Sequence, residues 1–473
     1  MDMSLDAFFK PSSVAIVGAS RSEEKVGYVI LRRMIEIGFQ GRVYPVNPSA
    51  EEILNLKCYP SISQISDKVD LVVVAVRAEA TPEVIKEAAG RGAKGALVIS
   101  GGFSEVGNSE LERKLIETAR RHGIRVIGPN CLGVFDPKNK IDTLFLPERV
   151  IPRPKEGSVA VITQSGSLGS TVLTMMRKEG IGISKFVSYG NRADVDEGEL
   201  IEYLMDDDDT KVIAAYIESV ADGRKFMESI RRASERKPVV VLKGGKTQSG
   251  NKAVRSHTGS LAGSVEVFHS AVRQSGGVVV SDLSGFLDSP VTLASQTPVM
   301  GDRVIVITNG GGFGILAVDA LESLGFQLNP PSEELERRLK ETLPPYYPVG
   351  NPTDLTGDST PEQFLEVGRI FSESGEYDAM LLIPLLGVPA MIPKRTLEAL
   401  SELLERSKIP LVAVAVPTTD EVEEVLKELK RRGLPIFPTP ERAAQALLSL
   451  RQYGEFLKRC YSTNFTRASA GLS

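Results

Sequence analysis

Tryptophan is absent from the 473-residue sequence, and cysteine and histidine occur only three times each. Cys58, Cys131 and Cys460 are too few and too scattered for a disulfide framework or a cysteine-based metal site, so no resident metal is expected. The charges nearly balance, with 56 Lys and Arg against 61 Asp and Glu, which makes a formal net charge of −5. The overall charge of the chain therefore does not attract nucleic acid or an anionic membrane, and any site that binds an anion must arise from a local cluster of residues.

Long hydrophobic runs are also missing. The most apolar stretch, AMLLIPLLGVPAMI from Ala379, is too short to span a bilayer and contains Pro384 and Pro389. The first residues, MDMSLDAFFKPSS, carry an acid at position 2 and no long apolar run, unlike a signal peptide. Together with the few cysteines, these features predict a cytoplasmic protein that works without a membrane.

What is present is a regular alternation of short Val/Ile runs with segments of helical period. Continuous apolar strands between helices are typical of parallel sheets that are covered on both faces. Two polar, Pro-containing segments near 146–157 and 294–302 interrupt this alternation. We therefore predict an α/β protein with three tandem doubly wound domains and a loose polar tail, at residues 1–150, 151–298, 299–460 and 461–473.

An internal repeat links the second and third of these domains. VAVITQSGSLGS (159–170) parallels VIVITNGGGFGI (304–315) at an offset of 308 − 163 = 145 residues. One such loop would be interpreted as a tight turn between strand and helix. Two copies suggest twin anion sites, because glycine lets backbone N–H groups approach a ligand at a helix N-terminus.

The first domain opens with SVAIVGASRSEEKVG, a strand, a Gly/Ser turn and a helix. It lacks the G-x-G-x-x-G dinucleotide motif, and its second strand ends in Asn47-Pro48 rather than in the acid that a nicotinamide cofactor favours. Arg21 and Lys25 are either phosphate ligands or solvated charges. Cys131, in the loop GPNCLG, is interpreted as a small buried residue rather than as a nucleophile.

The most informative segment runs from Pro238 to Ser264. It is rich in Gly and Ser, and it carries Lys243, Lys246, Lys252 and Arg255 without a single acid. His257 lies near its end, whereas His122 and His269 fall in helical patterns where a structural role is the default. A neutral imidazole is a competent nucleophile that can carry a phosphoryl group between two sites.

A histidine in that role needs a carboxylate that accepts its other ring N–H and fixes its tautomer. Glu218, at the carboxyl end of a predicted strand in the same domain, is the candidate, although a strand-end Glu often simply faces water. The run Asp206 to Asp209 is interpreted as a solvated helix stop rather than a metal cluster. The role of the turn-rich loop NPTDLTGDST (351–360) does not follow from the sequence, which leaves open that it borders the second anion site. No Walker loop occurs anywhere in the sequence.

SVAIVGAS, GPNCLGV, TQSGSLGS, SHTGSLAG and NGGGFGI occur here in the order and spacing of a known family. Over almost all of 1–460, the chain resembles the α subunit of ADP-forming acyl-CoA synthetases, which are relatives of succinyl-CoA synthetase. The resemblance implies a Rossmann-like CoA-binding domain followed by two flavodoxin-like domains. It also implies that His257 is phosphorylated in the cycle and that Glu218 supports it.

The resemblance further implies the residues that bind CoA and phosphate. CoA would be approached by Gly18, Ala19, Ser20, Arg21, Lys25, Asn47, Pro48, Val76, Arg77, Ser100, Gly101, Gly102, Asn130 and Cys131. Phosphate would be held at helix N-termini by Ser165, Gly166, Ser167, Leu168, Gly169, Asn309, Gly310, Gly311, Gly312, Phe313 and Gly314.

In this family an acyl-CoA and phosphate give an acyl phosphate and CoA, the phosphoryl group moves to the histidine, and ADP becomes ATP. ADP and Mg²⁺ are held mainly by an ATP-grasp module, which this chain lacks, so the resemblance implies a β subunit and an α2β2 assembly. Acetate is the expected acid, with branched-chain and aryl acids left open. The alternatives are a CoA-binding regulatory or acyltransferase-associated module without phosphoryl transfer and, further off, an oxidoreductase.

Overall fold

The computed structural model describes residues 5–250, 252 and 264–470 of the chain. These residues form two compact units, which divide between Ser275 and Gly276. Each unit is built from mainly parallel strands and the helices that cover them. No helix among the described residues is long and apolar enough to cross a membrane.

The first unit contains two sheets. The strands of the first sheet are β1 (Ser13–Val17), β2 (Arg42–Val46), β5 (Leu71–Val74), β6 (Gly95–Val98) and β7 (Arg125–Ile127), beside the short hairpin β3 (Glu52–Ile53) and β4 (Leu56–Lys57). Their helices are α1 (Asp6–Phe9), α2 (Val26–Glu36), α3 (Thr81–Gly90) and α4 (Ser109–His122). The strand order is β2-β1-β5-β6-β7, with all neighbours parallel.

The second sheet of this unit follows along the chain. Its strands are β8 (Gly133–Asp136), β9 (Ile141–Asp142), β10 (Glu156–Thr163), β11 (Ile183–Ser188), β12 (Val212–Ile217) and β13 (Val239–Lys243). Its helices are α5 (Gly166–Glu179), α6 (Glu197–Met205), α7 (Gly223–Ser234) and α8 (Val265–Gln274). Neighbours run β13-β12-β10-β11-β8-β9, and β8 is antiparallel to β11.

Strands β8 and β9 therefore pair with the second sheet although the sequence assigns them to the first predicted domain. Buried ion pairs tie the two sheets together. Asp142 of β9 accepts hydrogen bonds from Arg33 of α2 (2.8 Å) and from Arg153 (2.9 Å). Asp194, in the loop after β11, accepts one from Arg125 of β7 (2.9 Å). These contacts explain why the first predicted domain and most of the second form one compact unit, while residues 276–298 of the second predicted domain fall in the other unit.

The second unit contains a third parallel sheet. Its strands are β15 (Val304–Thr308), β16 (Thr353–Asp354), β17 (Ala379–Ile383), β18 (Leu411–Val414) and β19 (Ile436–Phe437). The short strand β14 (Val278–Val280) precedes them along the chain and is not part of this sheet. Its helices are α9 (Leu283–Ser295), α10 (Gly311–Ser323), α11 (Glu333–Thr342), α12 (Pro361–Ser374), α13 (Pro393–Arg406), α14 (Asp420–Arg431) and α15 (Pro440–Ala470). The last helix includes most of the segment predicted to be a loose tail.

The order of this sheet is β16-β15-β17-β18-β19, so the chain reverses direction across the sheet at β15. Strands β15 and β17 are fully buried, as expected for a sheet that is covered on both faces. In open sheets of this kind, ligands bind beyond the carboxyl ends of the strands, at the reversal point. The predicted parallel α/β architecture is confirmed.

Candidate active site

A cavity of about 420 Å³ opens at the carboxyl edge of the second sheet. Its lining comes from strand ends and loops of both sheets of the first unit: Ile99, Asn130, Cys131, Leu132, Phe145, Leu146, Gln164, Ser165, Gly166, Ser167, Ser170, Gly190, Asn191, Arg192, Glu218 and Ser219. The structure thus brings together three groups of residues that the sequence predicted separately. They are the first glycine loop, the carboxylate Glu218 and the loop that carries Asn130 and Cys131.

Glu218 is held firmly at the end of β12, and only 6% of its surface is exposed. Its backbone N–H and that of Ser219 (3.0 Å) both donate to the side-chain oxygen of Gln164, whose amide nitrogen donates to the Ser219 carbonyl (3.1 Å). The Lys243 ammonium donates to the Glu218 carbonyl at 2.7 Å. The backbone at Glu218 is therefore fixed by hydrogen bonds with Gln164 and Lys243, and this backbone positions the Glu218 side chain.

Tyr216, two residues before Glu218, hydrogen-bonds to its carboxylate. Burial raises the pKa of Tyr216, and the nearby charge of Glu218 raises it further, so the phenol stays protonated as a donor. A Cβ at Gly244 would come within 2.4 Å of the Tyr216 hydroxyl and 3.4 Å of Glu218 Cγ. Only glycine fits there, at the point where the chain leaves β13 towards the basic segment.

His257 itself lies outside the described residues, as does Arg255. Of the other histidines, His122 ends helix α4 and is exposed, and His269 is half-buried on α8. Burial lowers the pKa of His269, and the positive charge of Arg273 lowers it further. Both positions are compatible with the structural roles predicted for them.

The first glycine loop offers fewer anion donors than the sequence suggested. Ser165 caps α5 by accepting from the Leu168 N–H (3.3 Å), and the Gly169 N–H donates to the Ser165 carbonyl (3.0 Å). The first N–H groups of a helix have no intrahelical acceptor. Gly166 and Ser167 are thus the donors that remain at the cavity, while Leu168 and Gly169 use theirs within the helix.

Gly169 has a packing role instead. A Cβ there would come within 2.7 Å of the Phe186 ring and 2.8 Å of the Thr163 methyl group. In the second copy, a Cβ at Gly314 would come within 3.0 Å of the Thr308 methyl group. The repeat therefore preserves a close approach between the last threonine of a strand and the first turn of the following helix.

The second glycine loop lies at the reversal point of the third sheet. The Asn309 side-chain oxygen accepts from the Leu385 N–H (2.7 Å), which links the loop to the end of β17. The Gly310 N–H donates to Thr308 Oγ1 (2.9 Å), and the Gly314 N–H to the Gly310 carbonyl (3.2 Å). The N–H groups that remain for an anion belong to Gly311, Gly312 and Phe313.

The loop 351–360, whose role the sequence leaves open, lies beside the second glycine loop. A Cβ at Gly311 would come within 3.1 Å of Asp354 Oδ2. Asp354 accepts from the Thr356 N–H (2.9 Å), and Thr356 has a φ of +57°. This left-handed conformation, uncommon for threonine, turns the loop beside the helix N-terminus.

Among the predicted CoA residues in the described ranges, Asn130 and Cys131 line the 420 Å³ cavity. Cys131 is buried, its thiol donates to the Val98 carbonyl (3.3 Å), and burial raises its pKa to about 12. Such a thiol is protonated and unreactive, in agreement with its interpretation as a small buried residue. The Asn130 N–H donates to the Ser100 carbonyl (3.0 Å), which brings two of the predicted CoA loops together.

The remaining predicted CoA residues follow the carboxyl ends of four strands of the first sheet, β1, β2, β5 and β6. Gly18 has a φ of +92°, and a Cβ there would come within 2.4 Å of the Ala75 carbonyl. Asn47 supports this turn by donating to the Ala19 carbonyl (2.6 Å). Arg21 donates to the Glu52 carbonyl (3.3 Å), and Lys25 is exposed immediately before α2.

The loop after β11 was missed by sequence reasoning. Arg192, at a φ of +61°, donates to the carbonyl and hydroxyl of Ser219 and pairs with Glu197 at 3.3 Å. Burial raises the pKa of Glu197, and the charge of Arg192 opposes that rise. Asn191 donates to Glu105 (2.6 Å) and accepts from Asn130 (3.3 Å). The only signal was a polar loop, YGNRADV, directly after a strand.

The acidic run after α6 is structural. Asp206 caps the helix and pairs with Arg236, Asp207 binds the buried ammonium of Lys185 (2.7 Å), and Asp209 pairs with Lys138. The expectation of a helix stop holds, although Asp207 is engaged with a buried cation rather than with solvent. Its carboxylate compensates a charge that would be costly to bury alone.

Three family models match successive parts of the chain. They are a CoA binding domain at residues 12–137, a succinyl-CoA ligase-like flavodoxin domain at 156–293 and a Ligase-CoA domain at 304–453. This order defines a CoA ligase of the class that includes succinyl-CoA ligase.

Individual relatives narrow the class. The α subunit of acetate–CoA ligase (ADP-forming) I from Pyrococcus furiosus is 38% identical over 462 residues, covering 96% of this chain and 98% of that protein. The ADP-forming acetate–CoA ligase of Methanocaldococcus jannaschii is 37% identical, and the match covers 96% of this chain and 64% of that longer protein.

Among solved structures, the dinucleotide forming acetyl-coenzyme A synthetase 1 of Ca. Korarchaeum cryptofilum, in complex with phosphate and ADP, has 35% identity and a TM-score of 0.89. That match covers 97% of this chain and 99% of the other. The chain belongs to the family of ADP-forming acetate–CoA ligases, in which it corresponds to the α subunit.

Proposed function

We propose that this chain catalyses the acyl-transfer half of an ADP-forming acyl-CoA ligase reaction and carries the phosphoryl group on His257. The overall reaction converts acyl-CoA, phosphate and ADP into the free acid, CoA and ATP. The observation that carries this proposal is the single cavity in which Glu218, the first glycine loop and the Asn130–Cys131 loop meet.

The proposed sequence has three group transfers. A phosphate oxygen attacks the thioester carbon, the C–S bond breaks, and acyl phosphate and CoA are formed. A ring nitrogen of His257 then attacks phosphorus, and the P–O bond to the acyl group breaks to release the carboxylate. Finally the P–N bond breaks as the phosphoryl group passes to the terminal phosphate oxygen of ADP.

The residues of the cavity suit the first two steps. Gly166 and Ser167 present backbone N–H groups at the positive end of α5, where they stabilise the charge of the phosphoryl oxygens. Glu218, fixed by Gln164 and Lys243, would accept the second ring N–H of the histidine and stabilise its charged form. Arg192 and Ser219 bind each other and hold the wall of the cavity in place.

The proposed CoA site uses the turns at the carboxyl edge of the first sheet. At Gly18 a side chain would collide with the neighbouring strand, so the turn stays open to a ligand. Asn130 connects this edge to the cavity through Ser100 and Asn191. We propose that Gly18, Ser20, Lys25 and Asn130 contact CoA, whose thiol carries the acyl group that is transferred.

We further propose a β subunit with an ATP-grasp module, an α2β2 assembly and a cytoplasmic location. The names of the Pyrococcus α subunits and the greater length of the Methanocaldococcus relative support a separate partner. ADP and Mg²⁺ would be held mainly by that partner. The buried cysteines Cys58 and Cys131 suit a reducing compartment.

The deciding experiment is to incubate the full chain with acetyl-CoA and radiolabelled phosphate and to look for protein-bound label that is acid-labile and base-stable. His257→Ala should lose the label, and the matched variant His122→Ala, at an exposed helix end, should keep it. Absence of label with a panel of acyl-CoA thioesters and with a β subunit added would reduce the chain to a CoA-binding module.

A further inference from the structure

The loop after β11 contacts two different parts of the reaction cavity. Asn191 and Arg192 both line the cavity of about 420 Å³. Asn191 bonds to loops of the first sheet, and Arg192 bonds to the residue that follows β12. Two adjacent residues therefore connect the proposed CoA-binding edge with the strand end that carries Glu218.

The backbone of this loop is fixed against the loop between β7 and β8. The Asn191 N–H donates to the Pro129 carbonyl (2.9 Å), and the Ala193 N–H donates to the Gly128 carbonyl (3.1 Å). A Cβ at Gly190 would come within 2.2 Å of the Pro129 carbonyl oxygen, so only glycine fits there. The loop therefore presents its side chains from a backbone that has little freedom to move.

Arg192 restrains Ser219, the residue directly after Glu218. Its guanidinium donates to the Ser219 carbonyl and to the Ser219 hydroxyl (3.3 Å). Ser219 is 4% exposed, and its N–H group donates separately to Gln164 (3.0 Å). Loss of Arg192 would take a donor from a buried hydroxyl and loosen this peptide, which would displace the neighbouring Glu218 carboxylate.

Glu197 holds Arg192 in this position. It is the first residue of α6, it is 2% exposed, and its carboxylate lies 3.3 Å from the Arg192 guanidinium. A buried guanidinium needs such a partner, because an uncompensated charge is costly in the protein interior. Glu197 is not among the residues that line the cavity, so its effect on the reaction passes through Arg192.

Charge distinguishes Arg192 from its neighbours in the cavity wall. Among the described residues of the lining, only Arg192 is cationic and only Glu218 is anionic. A cation here either binds the phosphoryl group of the substrate or holds the protein in shape. Both terminal nitrogens of the guanidinium donate to Ser219, and Nη1 also faces Glu197. These contacts favour a positioning role.

Asn191 restrains the loops of the first sheet. Its amide nitrogen donates to Glu105 (2.6 Å) and to Glu112 (2.9 Å), and its side-chain oxygen accepts from Asn130 (3.3 Å). Glu105 in turn accepts from the Gly102 N–H. Asn191 thus joins the two loops that carry Asn130 and Gly102, both of which are predicted to approach CoA.

We propose that Asn191 and Arg192 are positioning residues for successive steps of the reaction. Asn191 holds the CoA loops for the attack of phosphate on the thioester, in which the C–S bond breaks. Arg192, paired with Glu197, holds Glu218 for the attack of His257 on the acyl phosphate, in which the P–O bond breaks. This inference rests on the proposed ligase function and assigns two of its steps to two adjacent side chains.

Two labelling routes separate these steps. Acetyl-CoA with radiolabelled phosphate labels His257 through both steps, whereas acetyl phosphate that carries the label needs only the second. Single-turnover labelling of the full chain gives a rate and a half-saturating concentration for each route. A change in rate and a change in apparent affinity are therefore measured separately.

Arg192→Met should slow labelling by both routes about 10- to 100-fold, because a small displacement of a group at the reacting centre lowers the rate this much. The half-saturating concentration of acetyl phosphate should change by less than about twofold. Arg192→Lys should recover part of the rate, since lysine can still donate to Ser219. Glu197→Gln should slow both routes less than Arg192→Met does, because the contacts between Arg192 and Ser219 remain.

Asn191→Ala should act mainly on the first route. The half-saturating concentration of acetyl-CoA should rise about tenfold, because the CoA loops lose the hydrogen bonds that join them. Labelling by acetyl phosphate should fall by at most about threefold. Arg177→Met, at an exposed position in the last turn of α5, is the control and should label as the wild type does by both routes.

The inference is overturned if Arg192→Met labels at the wild-type rate, or if Asn191→Ala slows both routes equally. It is also overturned if Arg192→Met needs far more acetyl phosphate while Glu197→Gln is unaffected, because Arg192 would then bind the substrate directly. Urea denaturation identifies a variant that fails to fold, and Arg192→Lys and Glu197→Gln then provide the comparison.

The wild type distinguishes this inference from the ligase function. Label on His257 in the wild type, without the expected difference between the variants, would refute the positioning roles and leave the ligase function intact. Absence of label on the wild type by either route, with a β subunit added, would refute the ligase function itself.

Discussion

The two glycine loops share a sequence frame but differ in their surroundings. Each follows a strand that ends in threonine, and each places a glycine of the next helix against that threonine. The first loop faces Glu218 and Arg192, whereas the second adjoins an apolar cavity. A repeated backbone motif thus provides two helix N-termini, and the strand ends around each one give it different neighbours.

The residue before each loop shows the same contrast. Gln164 uses both ends of its amide within the protein, to Glu218, Ser219 and the Ser219 carbonyl. The Asn309 amide uses its oxygen but leaves a buried N–H₂ group without a partner in the described structure. The side-chain amide is therefore fully used at the start of the first loop and only half used at the start of the second.

The largest effect is expected from Glu218→Gln, which removes the carboxylate from the first loop's cavity. Labelling of His257 by acetyl-CoA and phosphate should slow by about 100-fold or more, because the charge that stabilises the imidazole is lost. Single-turnover labelling measures this rate. Glu202→Gln, on α6 outside the cavity, should label at the wild-type rate, and an unchanged rate in Glu218→Gln would remove the carboxylate from the mechanism.

The next largest effect is expected on the stability of the fold, when the amides of Gln164 and Asn309 are removed. Gln164→Leu leaves the backbone N–H groups of Glu218 and Ser219 without this acceptor, while the Ser219 carbonyl keeps Arg192 as a donor, so the free energy of unfolding should fall by about 3 kcal/mol. Asn309→Leu deprives only the Leu385 N–H and should cost about 1 kcal/mol. Urea denaturation of both variants gives the comparison, and equal losses would contradict the difference between the two amides.

Smaller losses of stability are expected when the glycines of the two loops are replaced by alanine. Gly169→Ala should destabilise the fold by about 1–3 kcal/mol, and Gly314→Ala by less, because its Cβ would have more space. Gly312→Ala is the control, since a Cβ there meets nothing within 4 Å. Thermal unfolding measures all three, and the order Gly169, Gly314, Gly312 is the expected one.

The smallest effect is expected from a thiol reagent at Cys131, which lines the first cavity. Because burial raises the pKa of Cys131 to about 12, almost none of its thiolate exists at pH 8, and iodoacetamide should leave it unmodified in the folded protein. Reactivity should appear only on unfolding. Mass spectrometry of the peptides provides the readout, and rapid alkylation of native Cys131 would show that the cavity exposes its thiol.

Much of this architecture could be predicted from local sequence. Alternating apolar strands and helices indicated parallel sheets, and the repeat around Thr163 and Thr308 located both helix N-termini. Glu218 could be identified because a strand end of a parallel sheet is also a ligand-binding edge. Each of these signals lies within one strand-loop-helix unit.

The features that escaped prediction depend on contacts between distant segments. Arg192 became part of the site through Ser219, and Asn191 through Glu105 and Asn130. The pairing of β8 with the second sheet is likewise non-local. Leu168 and Gly169 matched the motif, but the helix itself uses their N–H groups, which a string of letters does not reveal.

The crossing from β7 to β8 has a mechanical consequence. The loop 128–132 leaves one sheet and enters the other within five residues, so both of its ends are anchored and it has no slack. Any small shear between the two sheets would strain this peptide first and would narrow or widen the space beside Asn130 and Cys131. The loop therefore joins the two sheets directly beside the cavity that Asn130 and Cys131 line.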